Sequence, residues 1–271
     1  MVIDFHTHIF PDKIAKTTIS ALEKNSNGKA FTDGTVNGLI SELDRCGVDI
    51  AVTLPVLTKP TQFDSVTKFA LSINEEFSSK NNRIISFGGM HPQCDKKYEK
   101  MKYLKDNGFL GIKIHPDYQN TFIDDDGYVE IINIAKELDL IVVTHSGIDD
   151  GYLGEPVKCP PKLVKKVIEK TKHSKFVLGH FGAHKQWQEV YNELAGLDVY
   201  FDTAFTFYKI QENLFKNIVT KHGPDKILFA SDCPWSDIKR DKERLLSFVM
   251  DKDVLDKIFY KNALKLLNIK G

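Results

Sequence analysis

The sequence predicts an α/β chain closed into a (β/α)8 barrel, and three observations carry that prediction. Eight short apolar or β-branched runs recur along 271 residues, helix-compatible stretches lie between them, and ionisable residues collect where the runs end. The runs cover residues 2–5, 50–54, 84–89, 111–114, 140–144, 175–178, 199–202 and 227–230. An open doubly wound sheet is the alternative for alternating strands and helices, but no Gly-x-Gly-x-x-Gly follows the first run. Eight strands favour the barrel.

The elements between the runs support the helical half of this reading. Residues 36–46 place Leu39, Ile40 and Leu43 at helix spacing, with Gly47 as the stop, and residues 129–138 do the same with Ile131, Ile132, Ile134, Ala135 and Leu138. An insertion after the first strand, residues 9–35, contains a helix-compatible segment at 14–24 and a polar stretch at 25–33. In a barrel such an insertion overhangs the mouth, where it serves as a lid or as a surface loop.

A chain with 42% hydrophobic residues at this length can bury one large core, so residues 1–271 are expected to form a single domain. Lysine plus arginine equals aspartate plus glutamate at 37 each, which gives no electrostatic reason for nucleic acid or a membrane surface as partner and favours a small molecule. Strand-like sequence from Val2 leaves no room for a signal peptide, and no apolar stretch approaches the roughly 20 residues that span a bilayer, so a cytoplasmic protein is expected. Cys46, Cys94, Cys159 and Cys233 lack Cys-x-x-Cys spacing and are expected as reduced thiols. Barrels commonly pair through helices or inserted loops, and a homodimer is compatible with this chain.

Chemistry in a barrel sits where strands reach their C-terminal ends. Six of the nine histidines fall there: His6 and His8 on the first strand, His91 after the third, His115 after the fourth, His145 after the fifth and His180 after the sixth. Lys113 lies on the fourth strand and Asp232 ends the eighth. Period-two alternation puts His6 and His8 on one face, and it groups His145 with Ile141 and Val143, His180 with Phe176 and Leu178, and Asp232 with Leu228 and Ala230. Burying so many imidazoles singly would need a partner for each ring nitrogen, whereas a divalent metal satisfies several at once.

His-x-His on the first strand, one histidine ending each of the fifth and sixth, and Ser231-Asp232-Cys233-Pro234-Trp235 ending the eighth closely resemble the amidohydrolase superfamily. Within it, Ile3-Asp4-Phe5-His6-Thr7-His8 and Leu178-Gly179-His180-Phe181-Gly182 are similar to the branch that includes aminocarboxymuconate-semialdehyde decarboxylase and many metal-dependent hydrolases. The resemblance covers nearly the whole chain. It implies a distorted TIM barrel with a catalytic divalent metal, Zn2+ first and Mn2+ as the alternative, one ion favoured and two possible.

The resemblance further implies that His6, His8, His145 and Asp232 are metal ligands and that His180 stands beside the metal-bound water, so His180 and Asp232 are the catalytic candidates. A metal lowers the pKa of its water towards about 7, and either residue can then take or relay the proton. Lys113 is open to three readings: a carboxylated bridge between two ions, a cation for a substrate carboxylate, or a structural ion pair, with substrate binding preferred. His115, His91 and Trp235 complete the candidates for substrate or second-metal contact, and Trp187 for a pocket wall. Two reactions fit: hydrolysis of a small carboxylate-bearing ester, lactone or amide, taken first, and non-oxidative decarboxylation. A silent barrel that only binds is the third reading.

Overall fold

A computed structural model describes residues 1–26, 28–80 and 83–270. The barrel strands run in chain order: Ile3–Thr7, Ile50–Thr53, a third strand in two pieces at Ile84–Ser86 and Gly88–Gly89, then Gly111–Ile114, Ile141–Thr144, Phe176–Leu178, Tyr200–Asp202 and Ile227–Leu228. Each is parallel to the next. The break at Phe87 divides the ladder into three-stranded and six-stranded parts, which is the expected distortion. The ring closes between the eighth and first strands, where Phe5 N–H donates to the Phe229 carbonyl at 2.9 Å and Asp232 N–H donates to that of His6 at 2.9 Å.

Two apolar clusters follow from this arrangement. One takes alternate residues from every strand but the fourth, among them Phe5, Val52, Phe87, Val143, Val177 and Leu228, and is closed below by Ala263, Leu266 and Leu267 of the C-terminal helix Asn262–Leu267. The other packs the helices onto the outer strand faces through residues such as Leu43, Ile112, Val142, Phe176, Leu178 and Phe215. In the fourth strand the inner position is Gly111, where a Cβ would lie 2.5 Å from the Phe87 ring and 2.6 Å from the Ile141 carbonyl. The backbone approach there admits only glycine.

Simple alternation misplaces one of the expected faces, while His6 and His8 share a face as expected. Val177 is the inward residue of the sixth strand while Phe176 and Leu178 face the helices, so alternation would turn His180 outward. Its left-handed backbone, φ 59°, re-aims it into the barrel. In the first strand Ile3 and Phe5 belong to the inner cluster, and the register shift between Asp4 and Thr7 brings His6 and His8 to the same side two residues later.

Helix Val36–Cys46 forms as expected: Thr35 Oγ1 accepts from Gly38 N–H at 3.0 Å, and Gly47 closes it at φ 61°. The helix expected at 129–138 begins earlier, as Asp126–Glu137, because Asp125 caps it by accepting from Gly127 N–H at 2.8 Å. The insertion carries helix Asp12–Ser26, and Phe31 N–H then donates to the Pro234 carbonyl at 2.7 Å, tying the insertion to the loop after the eighth strand. All four cysteines are buried free thiols. Among the described residues no helix is long and apolar enough to cross a membrane.

A histidine remote from the barrel mouth sets part of the acid stability. His173 is buried with one ring nitrogen 2.9 Å from the Leu140 carbonyl, and burial pushes its pKa down to about 4 from an ordinary 6.5. Below pH 6.5 the unfolded chain takes up this proton and the folded chain does not, so the contribution of His173 is complete above that pH and is lost as pH falls towards 4. Unfolding free energy of the wild type is therefore expected to change with pH in that window more steeply than that of His173→Gln, by about 1.4 kcal/mol per pH unit. Urea titrations of both proteins at pH 7, 6 and 5 check this, and parallel curves would contradict it.

Candidate metal centre and active site

Three ligating atoms converge at the C-terminal ends of the first and eighth strands. His8 Nε2 lies 3.2 Å from Asp232 Oδ1, and His6 Nε2 lies 3.5 Å from the same oxygen. The other ring nitrogens fix the tautomers. His8 Nδ1 is 2.9 Å from the Leu54 carbonyl, which can only accept, so in the neutral ring Nδ1 carries the hydrogen and Nε2 a lone pair. His6 Nδ1 is held in the same sense by Asp202 Oδ2 at 2.8 Å. Two imidazole lone pairs thus face a carboxylate oxygen, an arrangement that favours positive charge between them, part of which the Lys113 ammonium supplies from the side of His6 Nε2. Ligand distances of about 2.0–2.1 Å in a tetrahedral site give ligand–ligand edges of about 3.3 Å, and the two edges to Asp232 Oδ1 already match that spacing.

Around this triad the charges are strongly biased. Lys113 Nζ is 2.9 Å from His6 Nε2, and burial pushes its pKa down to about 8 against the attraction of Asp202 and Asp232. Burial likewise pushes His180 down to about 4, with the Asp232 and Asp202 charges opposing. Asp232 is held below the usual carboxylate range: burial works to raise it, and His8 and the charges of His6 and His180 outweigh that. His180 and Asp232 both adopt left-handed backbones, φ 59° and 75°, a conformation that costs a non-glycine residue about 1–3 kcal/mol and is here imposed by the surroundings. Asp202 Oδ1 accepts from His180 N–H at 3.0 Å, and Trp187 Nε1 donates to the His180 carbonyl at 3.0 Å.

His6, His8, Lys113, His180 and Asp232 form the floor of a cavity of about 1430 Å³. Its walls include Phe10, Phe31, Tyr118, Phe205, Tyr208 and Trp235, and the insertion helix contributes Ile14, Thr18 and Leu22. A model of the amidohydrolase family matches residues 3–269. The chain belongs to the amidohydrolase family.

This amidohydrolase also resembles solved structures over nearly its full length. The 2,6-dihydroxybenzoate decarboxylase from Rhizobium is 14% identical with a TM-score of 0.69, covering 100% of this chain and 99% of that one. A 5-carboxyvanillate decarboxylase from Novosphingobium aromaticivorans, solved with bound manganese as a D314N mutant, is 13% identical with a TM-score of 0.72, covering 99% and 97%. An uncharacterised TIM-barrel protein from Bordetella bronchiseptica is 13% identical with a TM-score of 0.75, covering 98% of each chain. At these identities the likeness establishes the barrel fold. No curated relative matches the sequence.

The structure brings most of the candidates named from the sequence to the cavity of this amidohydrolase: His6, His8, Lys113, His115, His145, His180, Asp232 and Trp235 all line it. His145 stands apart from the His6–His8–Asp232 triad. It joins His115 and Asp149 in a second group, with His145 Nδ1 2.8 Å from His180 Nε2. His91 does not reach the cavity; it is buried in the loop after the third strand, where its Nδ1 accepts from Gln93 N–H at 3.1 Å. Trp187 packs behind His180 and His184 and forms no part of the cavity wall.

Sequence reasoning missed Asp202, which ties the first strand to the sixth. The signal was present, since Asp202 ends the seventh run as Asp232 follows the eighth. Asp202→Asn would present an amide N–H to His6 Nδ1 and favour the opposite tautomer, removing the lone pair at Nε2. It is expected to weaken metal binding by about 10–100-fold with the fold retained, measured by competition with a chelating dye. Unchanged affinity would show that Asp202 does not position His6.

Proposed function

We propose that this chain is a metal-dependent carboxy-lyase that removes CO2 from a small aromatic or conjugated carboxylic acid. The observation that carries the reading is an aromatic-walled cavity whose floor combines Lys113 with the His6–His8–Asp232 triad. A planar acid stacks on such walls with its carboxylate towards the cations. His6, His8 and Asp232 would hold the ion. Zn2+ suits two imidazoles and one carboxylate, with Mn2+ as the alternative, and His145 stands within reach of the centre through His180. When bound, the ion supplies Lewis-acid charge that orients the substrate carboxylate and stabilises the negative charge developing during the reaction.

The remaining work falls to the protein. Lys113 pairs with the carboxylate, and the aromatic walls exclude water from the reacting carbon. As the bond to CO2 breaks, its electron pair stays on that carbon, which takes a proton in exchange. The proton comes from solvent: taken up by the hydrogen-bonded pair of His180 and His145, whose Nε2 and Nδ1 lie 2.8 Å apart, it reaches the carbon through His180 and Asp232, and the pair returns to its neutral form. We place the whole chain in one barrel domain working in the cytoplasm on a small molecule.

Hydrolysis of a carboxylate-bearing ester, lactone or amide is the second reading, and family membership favours it because the same floor binds the same carboxylate. Incubating the manganese- or zinc-loaded protein with hydroxybenzoates, conjugated dicarboxylates, lactones and aryl amides in D2O separates the two. The expected products are CO2 and an arene or alkene with one carboxyl group fewer, carrying deuterium at the former carboxyl position. A new acid released together with an alcohol or amine would overturn decarboxylation in favour of hydrolysis.

A further inference from the structure

The cavity is larger than a single-ring acid needs. Pockets for drug-sized ligands span about 300–1,000 Å³ and a single-ring acid fills only the lower end of that range, whereas this cavity holds about 1430 Å³. Away from the floor, much of its lining comes from two helices, Asp12–Ser26 of the insertion and Phe63–Ser78 after the second strand. The insertion helix buries Ala15 and Ile19 and turns Ile14, Thr18 and Leu22 to the cavity, a stripe at i, i+4 and i+8. Val66 and Phe69, spaced i and i+3 on the second helix, line the same cavity, as does Phe31.

The protein covers this apolar surface only in part. Ile14 is 44% and Phe31 47% exposed, and Leu22, Val66 and Phe69 are half-buried. Apolar area of this kind gains when an apolar ligand takes it from water. The stripe is also continuous with the floor, since Phe10 and Pro11 carry the lining from His8 to Ile14 in the first turn of the insertion helix. Exposed Lys13, Lys68 and Ser72 line the cavity as well and form the rim where it meets water.

We infer that the substrate is an amphiphilic acid, whose carboxylate sits over Lys113 and the triad while an uncharged alkyl or alkenyl arm runs along Ile14, Thr18 and Leu22 and against Val66 and Phe69. The inference rests on the reading that the floor holds a carboxylate, and it is the same for either reaction there. A floor of one lysine and a metal triad accepts any carboxylate, so discrimination among acids falls to the arm. From Ile14 to Leu22 the helix rises about 12 Å at about 1.5 Å per residue, which sets the length of arm that the stripe covers. Within that length each methylene tightens binding by up to about fourfold where it is enclosed and about twofold where one side stays open to water.

The test is calorimetric titration of the zinc-loaded full-length protein with 4-alkylbenzoates from methyl to dodecyl, below the concentrations at which they aggregate. These acids carry no hydroxyl to assist loss of CO2 and no ester, lactone or amide to hydrolyse, so binding is read without turnover. The expected result is an affinity that rises about two- to fourfold per methylene and levels off once the arm exceeds about 12 Å. Leu22→Gln and Val66→Gln are each expected to cut the methyl-to-octyl ratio of Kd by about tenfold, and a ratio taken within one protein cancels any change at the floor. Affinity independent of chain length, with the methyl member bound, would overturn the arm and leave the carboxylate floor standing. Failure of every member to bind would overturn the floor and this inference with it. A gain per methylene that survives in both variants would place the arm elsewhere and overturn the site. Substitutions on two separate helices guard against a single variant that fails to fold.

Discussion

Asp232→Asn is expected to lower turnover by about a thousandfold, equivalent to about 4 kcal/mol of barrier, while leaving the fold intact. Asparagine has the same size, tolerates the left-handed backbone that Asp232 adopts at φ 75°, and keeps a carbonyl oxygen for His6 and His8 to approach. It removes the negative charge of the triad and the group that can take up and return a proton. The ion is held more weakly rather than lost, so turnover measured at saturating metal isolates the chemical defect. Retention of more than about a tenth of wild-type turnover would remove Asp232 from the proton path.

His180→Asn is expected to cost about 10²- to 10⁴-fold in kcat with metal content unchanged. Asparagine again accepts the backbone at φ 59°, and the Asp202 carboxylate still receives the N–H of residue 180. What disappears is the acceptor for His145 Nδ1 and the imidazole beside the metal triad. Because His180 lies outside the His6–His8–Asp232 group, elemental analysis should read the same in variant and wild type. Loss of an ion together with activity would make His180 a ligand and move it out of the proton-handling role.

Much of the fold was legible because the strands are short apolar runs and most of the mouth residues are histidines that follow them directly. Alternation placed His6 and His8 together correctly and failed at His180, and in both strands the backbone departs from regular geometry. The register shift between Asp4 and Thr7 and the left-handed turn at His180 cannot be read from a period-two pattern, since each changes which side the next side chain takes. The same backbone features aim the first- and sixth-strand histidines at one centre. His91 was misread because position after a strand says nothing of direction, and the loop folds it back onto Gln93. Asp149, which stands beside His115 and His145, was hidden for another reason: it lies in a loop, where acidic residues are common.

The central claim is that His6, His8 and Asp232 hold a divalent ion on which activity depends. Its most direct test compares metal content in the wild type and in the His6→Gln, His8→Gln double variant, both purified without chelator or an affinity-metal column and supplied with zinc or manganese. The account predicts bound metal in the wild type and one ion fewer per chain in a double variant that remains folded. A wild type that binds no metal under these conditions, or a double variant that binds as much as the wild type, would contradict it.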